Sequence, residues 1–356
     1  MTILVMIIAA GAAYSLRSSD VPEKNDAPLE KIQELPAVYF ARPGNSHDFA
    51  LPAHVFQTFN NCGPATLSMI LAYYGINKSQ QELGQQMRPY QNQRGDNDDK
   101  SVFADEFVQT AETFGLKGVV RPAGNLETLK TLVANDIPVV VRTWLRPGED
   151  IGHYRIVRGF DEQKKIIIQD DSYYGKDRQI GYTEFLGMWQ PFNYEYFVIY
   201  QPEQEQIIAA VLGSQFDERT AWQSAYDLTA AEAAADPANI YPRFSAVVAL
   251  YHLDRSAEAV VEFEKIETRL PSRMLWYQLE PILAFRAVGD YEKVFSLVNA
   301  IINRQNRAFS ELYQIRGDIY IEQGNLEHAR KEFELAVYYN ANYAPARLAL
   351  MKIEDL

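Results

Sequence analysis

The stretch FNNCGPATLSMILAYYG, Phe59–Gly75, decides how the first half of this 356-residue chain is read, and it holds the only cysteine. Asn60, Asn61, Gly63 and Pro64 mark a turn that runs into a helix, since proline is tolerated in the first helical turn. Leu67, Ile70, Leu71 and Tyr74 then fall on one side at helical spacing, and Gly75 is placed to end the helix. Cys62 therefore sits where loop becomes helix. The unpaired N–H groups and the positive end of the helix dipole favour a charged sulfur there. The Cys62 amide is also well placed for an oxyanion. Most lone cysteines are small buried core residues. A thiol attacks a carbonyl well only as a thiolate with a base beside it, so the rest of the chain must supply that base.

The chain has five histidines. His252 and His328 lie in helical sequence, and His47 and His54 in loop-like sequence. His153 opens the strand-like run GHYRIVRGFD (Gly152–Asp161), with Gly152 leaving room beside it. A rigid strand end suits a base. Further on, IIIQDD (Ile166–Asp171) ends an apolar strand in two carboxylates. One of them, at the end of a neighbouring hairpin strand, can orient the histidine ring. The other can serve the turn, and strand alternation keeps the two from pointing the same way. Gln57, five residues before the cysteine, carries an amide able to donate to an oxyanion.

Taken in order, Gln57, the CGPA of Cys62–Ala65, IPVVV, GHYRIVRGFD and IIIQDD resemble the bacteriocin-processing cysteine peptidases that cut double-glycine leaders. More broadly they resemble the unfused, papain-like relatives of those enzymes. The resemblance runs from about Leu51 to Tyr200. It implies an α+β papain-like fold, with the thiol helix packed on an antiparallel sheet. It also implies Cys62 as nucleophile, His153 as base, Asp170 as orienting acid and Gln57 as oxyanion donor. Arg155 stands where those peptidases have an apolar residue. Asp171 stands where a proline usually follows the orienting aspartate, so Asp171 stays open as the alternative acid.

Order along the chain supports the same fold class. Helical patterns in SVFADEFVQTAETFG, with Ser101 as N-cap, and in NLETLKTLVAND precede the strand-like runs IPVVVRTWL, HYRIVRGFD, KKIIIQDDS and YEYFVIYQ. Helices first and strands later reads as α+β with an antiparallel sheet. From about Gln206 the pattern is all helical and repeats at intervals of 35 residues. Asp254, Gly289 and Gly324 keep that interval, as do Ala259, Val294 and Ala329; Phe263, Val298 and Phe333; and Ile266, Ile301 and Ala336. Gly317, Tyr320, Gly324, Ala329, Phe333 and Ala336 make the last unit resemble the tetratricopeptide repeat, an array of helical hairpins. The expected domains are a signal peptide or membrane anchor over 1–17, a linker over 18–35, a papain-like domain over 36–202 and a repeat domain over 203–356.

A formal net charge of −13 argues against a general nucleic-acid binder. There is no glycine-rich phosphate loop and no metal spacing of Cys and His, so no cofactor is expected. Asp96, Asp98 and Asp99 lack the glycine and distal glutamate of a calcium loop and read as a solvated loop before a helix cap. One cysteine forms no intramolecular disulfide, and the apolar run Ile3–Leu16 has the length of a signal-peptide core. An extracytoplasmic protein, secreted or anchored, is expected. Its partners are a peptide or protein substrate and a protein bound by the repeats. Two functions stay open: a cysteine peptidase, with acyl transfer as a variant, and an interaction scaffold with an inert papain-like domain.

Overall fold

The computed structural model describes residues 38–90, 102–303 and 306–354. The expected signal or anchor, the linker and the Asp96–Asp99 loop lie outside the described residues. After β1 (Ser46–Asp48) comes α1 (Cys62–Tyr73), then α2 (Gln80–Met87) and α3 (Ala104–Glu112). Strand β2 (Lys117–Arg121) and helix α4 (Leu126–Ala134) lead to β3 (Val139–Trp144), β4 (Gly152–Asp161), β5 (Ile166–Asp171) and β6 (Gly175–Gly181). Helix α5 (Tyr182–Trp189) and β7 (Tyr196–Tyr200) complete the α+β region. All strand pairs are antiparallel, in the order β2-β7-β3-β4-β5-β6, with β1 added on β4.

The helix of the opening stretch forms where its pattern placed it, and Gly75 closes it with φ at +76°. Leu67, Ile70 and Leu71 are fully buried against Val140, Tyr154, Ile156, Phe197 and Ile199 of the sheet. The other sheet face, with Val139, Val141, Val157 and Val198, packs on Leu129 and Leu132 of α4. Burial on both faces explains why β3 reads as a continuous apolar run and not as an alternation. Two expectations need correcting. Helix α3 starts at Ala104, and its cap is the Phe103 amide donating to Glu106 at 2.7 Å. The order is also not helices then strands, because β2 precedes α4 and pairs with the last strand β7.

From α6 (Glu205–Leu212) onward the described chain is helical, continuing through α7 (Glu218–Ala235). Hairpins follow: α8 (Ile240–His252) with α9 (Ser256–Glu264), then, after the one-turn α10 (Met274–Tyr277), α11 (Glu280–Ala287) with α12 (Tyr291–Ile302). Last come α13 (Ser310–Glu322) with α14 (Leu326–Tyr339), and α15 (Ala344–Glu354). The sequence interval has a backbone cause. Asp254, Gly289 and Gly324 each occupy the turn between paired helices with φ of +62°, +82° and +74°. Ala259, Val294 and Ala329 are all fully buried, one per unit.

In the last hairpin α13 approaches α14 so closely that a Cβ on Gly317 would lie 2.3 Å from the Phe333 ring. Gly317→Ala is expected to destabilise the protein by about 1–3 kcal/mol, read as a lower urea midpoint, because the ring must leave its place. The described residues form one compact unit. Phe244, Val247, Ile282 and Phe285 of the helical region belong to the same apolar cluster as β3, β4 and β7.

Candidate active site

Cys62 is the first residue of α1, half-buried, and lines a cleft of about 560 Å³ together with Gln57 and His153. The ring of His153, the second residue of β4, lines the same cleft and acts on the Cys62 sulfur. The His153 Nε2 donates to Asp171 Oδ1 at 2.9 Å, which leaves Nδ1 for the sulfur. The result is a thiol, an imidazole and a carboxylate in series, with the last two nearly inaccessible to solvent.

Burial alone would raise the Cys62 thiol. Its hydrogen bond to His153, the charge of that ring, the Arg88 guanidinium and the Tyr154 amide outweigh burial and bring the thiol below its ordinary value. Burial would lower the His153 ring. The Asp171 and Cys62 hydrogen bonds and the Asp171 charge instead hold it above the ordinary imidazole value, against the opposing charge of Arg155. Both shifts favour a thiolate–imidazolium pair. Asp171 is also pulled from its ordinary value: burial would raise it, but the hydrogen bond and charge of His153, the Arg155 charge and the Tyr174 amide hold it well below the carboxylate range.

Asp170, expected to orient the ring, faces elsewhere. Its Oδ1 accepts from Arg158 Nε at 3.0 Å and from the Asp177 amide at 2.9 Å. The reason is a β-bulge. In the β4–β5 ladder Gly159 pairs with Ile168, but Val157 pairs with Gln169, so Arg158 is an extra residue. In an unbroken ladder, with Arg158 opposite Gln169, Asp170 would stand opposite Val157, on the His153 face. With the bulge, Asp171 stands opposite Arg155, and the two carboxylates exchange faces. The bulged Arg158 then pairs with the displaced Asp170 and also donates to the Phe49 carbonyl at 2.8 Å.

Arg155, the unexpected charge in the strand, holds the Asp171 carboxylate. Its Nε donates to Asp171 Oδ2 at 2.9 Å, and its other nitrogens donate to the Trp144 and Leu145 carbonyls at 2.9 and 2.7 Å. The Tyr173 and Tyr174 amides donate to Asp171 Oδ1 at 2.7 and 2.9 Å. Gln57 is fixed by the next residue along: Ser172 Oγ donates to Gln57 Oε1 at 2.9 Å, and the Gln57 amide donates to the Ser172 carbonyl at 2.8 Å. With Oε1 so engaged, the Gln57 Nε2 is the end left to donate.

Several supporting residues carried no sequence signal. The buried Gln80 of α2 clamps the Gln57 loop, accepting from the Thr58 amide at 2.9 Å and donating to the Phe56 carbonyl at 2.8 Å. Arg88 donates to the Asn60 carbonyl and to Asn61 Oδ1, on the turn that presents Cys62. Of the other histidines, His54 meets the Asp171 carbonyl at 3.0 Å, and His47 pairs with Asp136 at 2.8 Å. His252 stacks on Trp222 within the helical region. Among the described residues no group of His, Cys, Asp and Glu could hold a metal ion.

Residues 46–197 match the Peptidase C39 like family. No curated protein shows significant similarity to the chain. Among solved structures, a chain described as a C39-like peptidase from Bacillus anthracis is similar at 16% identity and a TM-score of 0.38, over 44% of this chain and 98% of that one. A double glycine motif protease from an AMS/PCAT transporter, in complex with its leader peptide, is similar at 17% identity and a TM-score of 0.33, over 45% of this chain and 99% of that one.

Proposed function

We propose that residues 46–197 are a cysteine peptidase in which Cys62 is the nucleophile, His153 the acid and base, Asp171 the orienting carboxylate and Gln57 an oxyanion donor. The family match supports the peptidase class. The observation that carries the assignment is Cys62 at a helix N-terminus, sharing a cleft with a His153 that is hydrogen-bonded to Asp171. The Cys62 thiolate attacks the carbonyl carbon of a peptide bond, and the oxyanion takes hydrogen bonds from the Cys62 amide and Gln57 Nε2. The C–N bond breaks as His153 Nδ1 gives its proton to the leaving amine, and a thioester remains. Water then attacks the thioester, its proton passes to His153, and the thiolate departs with release of the acid. An amine in place of water gives acyl transfer by the same steps.

The helical hairpins are proposed to be tetratricopeptide-like and to recruit a protein partner, on the strength of the 35-residue interval and its repeated left-handed turn. The apolar run Ile3–Leu16 is proposed as an export signal or anchor, which would put the peptidase outside the cytoplasm. Among the described residues no helix is long and apolar enough to cross a membrane.

A peptide-library digest tests the central proposal. The native protein is expected to cut a subset of the library, with Cys62→Ala leaving no cleavage above background. Equal digestion by both proteins, or none by either, sinks the peptidase assignment and leaves the scaffold.

A further inference from the structure

The cleft that holds Cys62 is not built by the peptidase-like domain alone. Arg273, Trp276 and Tyr277, on and just before α10, line it together with Cys62 and His153. We propose that Trp276 and Tyr277 form a substrate subsite that selects a peptide with a large apolar, preferably aromatic, side chain next to the bond that is cut. This rests on the peptidase reading above and adds to it both a specificity and a role for the helical region.

Helix α10 is held against the site from two directions. The Asp150 carboxylate, in the loop entering β4, accepts from the Arg273 guanidinium and from Ser272 Oγ, the latter at 3.1 Å. On the sheet side Arg142 Nη1 donates to the Tyr277 carbonyl at 2.7 Å, while its Nη2 pairs with Glu195 at 3.0 Å. Gly152, next to His153, then has a specific use: a Cβ there would lie 2.9 Å from the Tyr277 ring. The room that glycine leaves beside the base is filled by an aromatic ring from the helical region.

The chemistry of the cleft indicates its occupant. Phe59, Ile151 and Tyr173, also in the lining, are 50%, 41% and 50% exposed. Large apolar side chains left in solvent around a nucleophile mark a surface that a ligand covers. Apart from the Cys62–His153 pair, the charged side chain among the described lining residues is Arg273. That charge is already matched by Asp150 and lies 5.4 Å above the Trp276 ring. An acidic or basic substrate side chain would find no unmatched partner and would lose its water. An aromatic side chain finds flat rings to pack on.

The test uses the full chain and three peptidyl fluoromethyl ketones that differ only in the residue adjoining the electrophile: Phe, Gly or Glu. The readout is the rate of covalent labelling at Cys62. Labelling by the Phe probe is expected to exceed that by the Gly probe by about 10-fold or more, from burial of one aromatic side chain, and the Glu probe is expected to be slowest. Trp276→Ala is expected to cut the Phe-to-Gly ratio by about 10-fold, and Trp276→Phe to keep most of it. The ratio divides out the reactivity of the thiol, and the wild-type preference stands as a measurement whether or not Trp276→Ala folds. Fast labelling without preference for Phe, or a ratio unchanged in Trp276→Ala, overturns the subsite alone. Labelling by all three probes no faster than that of free cysteine overturns the subsite and the peptidase reading together.

Discussion

Replacing His153 by alanine is expected to slow alkylation of Cys62 by iodoacetamide at pH 6.5 by roughly 10- to 100-fold. A thiol of ordinary pKa, about 8.5, is only about 1% thiolate at that pH, and loss of the imidazole returns Cys62 to that value or above it. In the native protein the signs of the two shifts define a window. Cys62 lies below its ordinary value, so the thiolate persists on the acid side of it. His153 lies above its ordinary value, so the imidazolium persists on the alkaline side of 6.5. The proposed hydrolysis needs both charged forms and should follow a bell between those limits, whereas alkylation needs only the thiolate and should show the acid limb alone. In His153→Ala that limb is expected to move toward the ordinary thiol value. A pH–rate curve for alkylation that coincides with the native one would mean that the ring does nothing for the sulfur.

The second large effect separates two adjacent aspartates. Asp170→Ala deprives a buried guanidinium, Arg158, of its buried carboxylate partner at 3.0 Å, leaving it the exposed Asp177 and Asp48, and is expected to destabilise the fold by about 1.5–3 kcal/mol. Alkylation of Cys62 in the folded fraction should stay near the native rate, because Asp170 does not touch the base. Asp171→Ala strands Arg155 in the same way, and also frees the His153 ring and removes its counter-charge. It should therefore lower stability and alkylation together. The native Asp171 carboxyl lies below its unfolded value, so its stabilising contribution is full at neutral pH, starts to fall as pH drops through the unfolded carboxylate value of about 4 and is gone below its folded value. Urea titration and the alkylation rate, measured on both variants, check the assignment. A rate loss in Asp170→Ala equal to that in Asp171→Ala would refute it.

What the sequence showed and hid follows from the range of each signal. Local patterns read well: the Pro64-marked helix start at Cys62, the apolar runs of β3, β4 and β5, and the 35-residue interval of the hairpins. Strand β6 escaped notice because Lys176, Asp177 and Arg178 make it a polar, solvent-facing edge. The choice between Asp170 and Asp171 turns on whether β4 carries one extra residue at Arg158, and alternation within β5 alone cannot report a bulge in its partner. Arg155 looked like a misplaced charge because its partners, Asp171 and the carbonyls of Trp144 and Leu145, lie on other strands and in a loop. Trp276 and Tyr277 lie on α10, between the helical hairpins α8–α9 and α11–α12, where a reading by repeats has nothing to say about them.

Asp171 and Ser172 are consecutive, yet one holds the His153 ring and the other the Gln57 side chain. The proposed proton carrier and the proposed oxyanion donor thus share a single mount on the chain. A displacement of that one peptide unit would misalign both at once, and restoring it would realign both. On the proposed roles, strain at the β5–β6 turn would therefore act on both groups without touching the sulfur.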